Sequence, residues 1–330
     1  MFALASRLAA LMALCVVVLG AYVRIHDAGL GCPDWPGCYG QLLGVPEAAH
    51  ELAAAQAAYP QAPVEAGKAW KEMAHRYLAG SLGLLILGLT VIAWRNRLPE
   101  RGLLSLTVLV VAAQATLGML TVTELLRPGI VTLHLLGGMT TLALLTASCA
   151  QQYSAGHNRI ERLVMPAPHG LVKLALAVLI LQLALGGWVS TNYAGLACNG
   201  FPDCNNSWWP AMQSDGFDLT RALHLDANGQ PIAGPALVAI QMAHRVGAAV
   251  VAAVLLLLGV RLAQRGSTGW SRGVLLLVAV QIGLGIANVL LHLPVPLAVA
   301  HNAVAALLLM TLVSLLVLSR PHRERLVFRR

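Results

Sequence analysis

Charge is scarce in this chain: Asp, Glu, Lys and Arg make up 11% of its 330 residues, against 58% hydrophobic. That balance excludes an ordinary soluble domain, in which about a quarter of residues are charged. Acidic residues are the scarcer sign, 14 against 22 Lys and Arg, for a net charge of +8. A clear small-residue cleavage site after the first apolar run is also missing. Residues 1–24 therefore read as a first helix and not as a removed secretory signal. The apolar runs show neither the interruptions nor the midplane charges of a transporter, and that reading is set aside.

What is present is length and hydrophobicity enough for many membrane spans. A bilayer core takes about 20 apolar residues per helix, and eight runs qualify: residues 5–24, 73–93, 103–123, 130–150, 170–190, 237–260, 273–293 and 298–318. An even number puts both termini on one side. Lys and Arg accumulate in cytoplasmic segments. With the N-terminus cytoplasmic, fifteen of the twenty-two fall inside: Arg7, Arg95, Arg97, Arg101, Arg159, Arg162, Lys173, Arg261, Arg265, Arg272, Arg320, Arg323, Arg325, Arg329 and Arg330. Topology in a lipid bilayer thus accounts for the positive charge, and nucleic-acid binding is not needed. The two long loops, 25–72 and 191–236, then face outward, with short surface helices expected in residues 46–58.

The chain also repeats itself. Glu72-Met-Ala-His75-Arg76 is echoed by Gln241-Met-Ala-His244-Arg245, and each His is followed, 59 and 57 residues later, by His134 or His301. Gly20 to Cys32 aligns without a gap with Gly186 to Cys198, and Gln114-Ala-Thr-Leu-Gly118 aligns with Gln281-Ile-Gly-Leu-Gly285. Four spans per copy relate the halves by an axis along the membrane normal. The expected fold is all-α and membrane-integral, eight transmembrane helices as two tandem pseudo-symmetric four-helix bundles, residues 1–155 and 156–330.

Polar groups inside membrane helices are costly and usually functional. His75, His134, His244 and His301 each fall near the outer end of an apolar run, two per half. A His pair from two helices can clamp the two faces of a haem iron. Zinc fits less well, since it wants a third or fourth ligand and only Glu72 is near, in one half alone. The remaining histidines, His26, His50, His157, His169, His224, His292 and His322, read as loop or helix-end residues. Arg76 and Arg245 follow two of the paired histidines. They suit haem propionates by guanidinium–carboxylate geometry and equally suit lipid head groups.

Six cysteines divide in two ways. Cys15 and Cys149 read as core residues. Cys32, Cys38, Cys198 and Cys204 occupy equivalent places in the outward loops, where an oxidising exterior permits disulfides. Of the three connectivities, the matching short separations favour Cys32–Cys38 and Cys198–Cys204. A structural role suffices, and a pair that cycles between dithiol and disulfide is the alternative. The halves differ most at Glu72, whose counterpart is Gln241. Three residues before His75, it shares that helix face, and it reads as a proton-handling group beside a cofactor or as a helix-end carboxylate.

Eight spans in two halves, paired outer-loop cysteines, Glu-x-x-His at residues 72–75, and His134, His244 and His301 resemble the haem A synthase family over essentially the whole chain. The stretch from Cys38 to Glu72 is long for that family. The resemblance implies an oxidoreductase that converts the C8 methyl of haem O, through an alcohol, to the formyl group of haem A for cytochrome oxidase. It implies that His75 and His134 hold the substrate haem, that His244 and His301 ligate a haem b, and that Glu72 is catalytic. The loop cysteines match the family's pairs. Implied partners are haem O synthase, cytochrome oxidase assembly factors and an electron donor or acceptor, in the bacterial cytoplasmic membrane, with self-association left open. The alternative is a dihaem b-type electron carrier acting on quinol or an external acceptor, which explains four histidines but not Glu72.

Overall fold

The computed structural model describes residues 1–156, 167–226 and 228–319. Expectations placed on His157, Arg159, Arg162, Arg320, His322, Arg323, Arg325, Arg329 and Arg330 lie outside them. Nine α-helices occur among the described residues: α1 Phe2–Ile25, α2 Ala49–Ala58, α3 Ala66–Arg95, α4 Arg101–Thr123, α5 Pro128–Gly156, α6 His169–Thr191, α7 Gly234–Gln264, α8 Thr268–Leu290 and α9 Val295–Leu318. All but α2 are long and apolar enough to cross a bilayer. Their composition makes them so, because Leu, Ala and Met are strong helix formers and Pro enters only at helix starts, as in α5, α7 and α9.

Every span begins earlier than hydropathy implies, most of all α3, at Ala66 and not at 73, and α8, at Thr268 and not at 273. Nothing in Ala66-Gly-Lys-Ala-Trp-Lys-Glu72 breaks a helix, so the backbone ladder runs on beyond the apolar stretch. The surface helix expected in residues 46–58 is α2. The Glu51 carboxylate accepts the backbone N–H groups of Glu47 and Ala48, each at 3.0 Å. Those two donors hold its acidity below the usual carboxylate range.

Within the first half α1 and α4 each pack on both α3 and α5, and within the second α6 and α8 each pack on both α7 and α9. The halves meet where α5 touches α9, α1 touches α9 and α5 touches α6. Under the repeat, α1 on α9 and α6 on α5 are counterparts. One apolar cluster runs through both halves, from Ala9, Ala10 and Ala13 to Ile86, Leu142, Leu258 and Leu312. The alanines let α1 approach its neighbours closely, as membrane helices require when no hydrophobic drive separates protein from lipid. Leu84, Leu109, Leu181 and Leu276 stay exposed on the flanks, the surface that acyl chains would cover. Cys15 is exposed too, against the core placement expected of it, because that side of α1 faces away from both halves; Cys149 is partly buried.

The duplication extends to the backbone. Left-handed conformation at a non-glycine residue costs roughly 1–2 kcal/mol. It recurs at matched places: Asp27 and Tyr193, Tyr39 and Asn205, Leu125 and His292, Leu126 and Leu293. The side chains differ at most of these places while the turn persists. At the loop end the halves are tied by the Arg24 Nη2 donating to Ser190 O at 2.6 Å and the Tyr193 hydroxyl donating to Asp27 at 2.7 Å.

Candidate functional site

The four histidines sit at matched positions near the loop end. His75 and His244 lie nine and ten residues into α3 and α7, about 14–15 Å along the axis, and His134 and His301 each lie six residues into α5 and α9. Each ring rests on a glycine of the neighbouring helix. A Cβ at Gly20 would stand 3.0 Å from Cε1 of His75, at Gly118 3.3 Å from that of His134, at Gly186 3.1 Å from that of His244, and at Gly285 3.2 Å from that of His301. The aligned Gly20/Gly186 and Gly118/Gly285 pairs therefore have one purpose in both halves, to seat an imidazole edge-on. His75 lies within electrostatic reach of His134, and His244 of His301, one couple to each half.

Buried polar atoms nearly always find a partner. Nδ1 of His75, His134 and His301 is buried without a side-chain partner, with the backbone of Val16, Gln114 and Gln281 beside the three rings. Among the described residues no three of His, Cys, Asp and Glu converge as a metal cluster. Glutamines complete the second half: the Gln182 Nε2 lies 2.9 Å from Nδ1 of His244, and the Gln281 Nε2 3.2 Å from Nε2 of His301. In the first half Gln114, the counterpart of Gln281, lies instead against Gly137 on α5.

Above the rings, the loops are pinned to α3 and α7. Both disulfides are formed, Cys32–Cys38 and Cys198–Cys204, and all four residues are fully buried. Closing about seven residues stabilises each loop by roughly 2–2.5 kcal/mol in the chain-entropy account. The Arg76 guanidinium donates to Asp34 O at 2.9 Å and Pro36 O at 3.3 Å, and also to Gly37 O. Arg245 repeats this on Asp203 O and Gly200 O, both at 2.9 Å, and its Nε is buried without a partner. Glu72 is buried, its Oε2 accepting the Cys32 N–H at 2.9 Å and its Oε1 paired with Arg76 at 2.5 Å. Gln241 in the same place donates to Gly195 O at 3.3 Å. The first loop adds a small core of its own around Tyr39, Val45, Ala55 and Met73. Burial first, then the nearby Glu65, pushes the Tyr39 phenol above its ordinary range, and its hydroxyl donates to Pro63 O at 3.0 Å.

This docking leaves no room at Gly31, where a Cβ would fall 2.6 Å from the backbone carbonyl carbon of Lys68. Gly31→Ala is expected to lift the loop from α3 at a cost of about 1–3 kcal/mol, read as a lower unfolding temperature in detergent. A variant as stable as the parent would show that the loop does not depend on this contact.

A model of the COX15-CtaA family, described as cytochrome oxidase assembly proteins, matches residues 4–313. The haem A synthase of Shewanella oneidensis is 42% identical over 317 residues, 94% of each chain. That of Methylobacterium radiotolerans is 31% identical over 90% of this chain and 84% of its own, and that of Rhizorhabdus wittichii 28% identical over 92% and 90%. The chain belongs to the haem A synthase family. Within a haem A synthase, the expected site residues fall into two groups: His75, His134, His244 and His301 form the paired rings, while Glu72, Arg76, Arg245 and the four loop cysteines form the cover. Sequence reasoning left out the seats at Gly20, Gly118, Gly186 and Gly285, although the repeat displayed them, and Gln182, whose counterpart Val16 hides it from any search for repeated residues.

Proposed function

We propose that the chain oxidises the C8 methyl of haem O, through the alcohol, to the formyl group of haem A for cytochrome oxidase. In this reading residues 1–155 and 156–330 work as two four-helix units. The first holds the substrate between His75 and His134, and the second holds a haem b between His244 and His301. The observation that carries it is the paired, glycine-seated imidazole built twice in a chain whose relatives are haem A synthases. Neutral imidazoles from facing helices suit haem iron.

Each oxidation stage takes two electrons from the methyl carbon, adds the oxygen of one water there and releases two protons, with the electrons passing to the redox partner; the hydrated aldehyde formed in the second stage then sheds water to leave the formyl group. Haem b, held by His244 and His301, would supply one-electron chemistry. Glu72 is the carboxylate at the rim of the substrate pair, and its role is to accept protons released there or to stabilise positive charge developing at the methyl. The Cys32–Cys38 loop, held by Glu72 and Arg76, shields that charge from water. Arg245, with its free Nε, offers a propionate contact in the second half, and Arg76 offers one beside its loop carbonyls. The loops face outward from the bacterial cytoplasmic membrane, with both termini inside. Haem O synthase would supply the substrate, assembly factors would take the product, and a separate redox partner would exchange electrons.

The test is to extract the pigments of purified protein and separate them. Haem B together with haem O, its hydroxymethyl form or haem A is the expected result. Haem B alone, in two equivalents, would make the protein a dihaem electron carrier.

A further inference from the structure

The two halves treat their first histidine differently. Gln182 on α6 reaches His244, with Nε2 2.9 Å from the ring Nδ1 and 3.0 Å from the backbone O, while its Oε1 is buried without a partner. Space for this amide exists because residue 247 is glycine: a Cβ there would lie 2.2 Å from the Gln182 Oε1. In the first half the corresponding residues, by the same offsets of 166 and 169, are Val16 and Leu78. An apolar pair has replaced an amide and its niche, and Nδ1 of His75 has no side-chain partner, only the backbone of Val16 beside it. A glutamine buried between membrane helices gains little for association. Its direction onto one imidazole therefore points to a role at that ring.

We propose that Gln182 is a positioning residue for His244 that fixes a haem b in the C-terminal half, and that the Val16 counterpart leaves the N-terminal site free to exchange its haem. This rests on the placement of haem b proposed above. An iron on Nε2 requires the proton on Nδ1. By turning over, the amide gives up its bond to the His244 backbone O and presents Oε1 to that proton, which sets the tautomer and ring plane and makes the imidazole a more basic ligand. A resident cofactor benefits from such a clamp. A substrate that must arrive as haem O and leave as haem A does not.

Gln182→Met keeps the length without the hydrogen bond, and Gln182→Val installs the residue of the other half. Both are to be purified with their haem, and haem B per polypeptide and its redox titration compared with the parent. Retention of haem B against a scavenging apoprotein is expected to weaken about tenfold or more, the usual range for a lost ligand partner. At a fixed potential the reduced fraction is expected to rise, because a less basic ligand stabilises ferric iron less. Unchanged retention and an unchanged potential in Gln182→Met overturn the proposal, and so does a fall in yield with both unchanged, which would mark the amide as structural. If haem B persists in His244→Ala and His301→Ala, the placement of haem b itself is wrong, a result separate from the first.

Discussion

Glu72→Gln is expected to lower haem A formation by about 10²-fold or more, the usual contribution of a positioned acid or base, while total haem per polypeptide stays near that of the parent. The fold has already accepted this exchange, since Gln241 occupies the equivalent place above the second pair. The amide oxygen can still accept the Cys32 N–H, and Arg76 loses its ion pair but keeps the carbonyls of Asp34, Pro36 and Gly37. What disappears is the ability to take up a proton or to carry negative charge at the proposed substrate site. Chromatography of membrane pigments reads the outcome directly. Normal haem A output at normal haem content would remove Glu72 from catalysis and leave it as the staple of the first loop.

Alanine at each histidine should divide the pigments by half of the molecule. His244→Ala and His301→Ala are expected to strip nearly all haem B from purified protein and to spare the farnesylated haem. His75→Ala and His134→Ala should do the reverse, because each pair lies within its own half. Losing one of two axial nitrogens exposes the iron to water and removes the geometric hold of the pair. A dihaem carrier would lose haem B from whichever half was altered, and no variant would affect a farnesylated pigment. Pyridine haemochrome spectra of the four variants therefore separate the two readings even without an activity assay.

The parts of the molecule legible in the sequence are those governed by local rules. Hydropathy located all eight spans to within a few residues, missing by most where a charged but unbroken stretch, Ala66 to Glu72, let α3 continue. The loop disulfides were legible because duplication wrote each of them twice. Contacts between distant segments left weaker traces. Arg76 and Arg245 carry no mark showing that they grip carbonyls 39–45 residues away, and the opportunity for Gln182 depends on a missing Cβ at residue 247 on another helix. Glu72 was singled out by its mismatch with Gln241, while its bond to the Cys32 N–H appears only once the loop is folded back on α3.

The loop sulfurs are enclosed, and Arg76 and Arg245 lock the segments around them. A thiol oxidase could not reach them after that lock has closed. Biogenesis must then follow a fixed order, in which each bridge is made on a splayed segment and only afterwards does the guanidinium fasten it down. A chain that matured without oxidation would carry its error beneath a closed lid, out of reach of later repair.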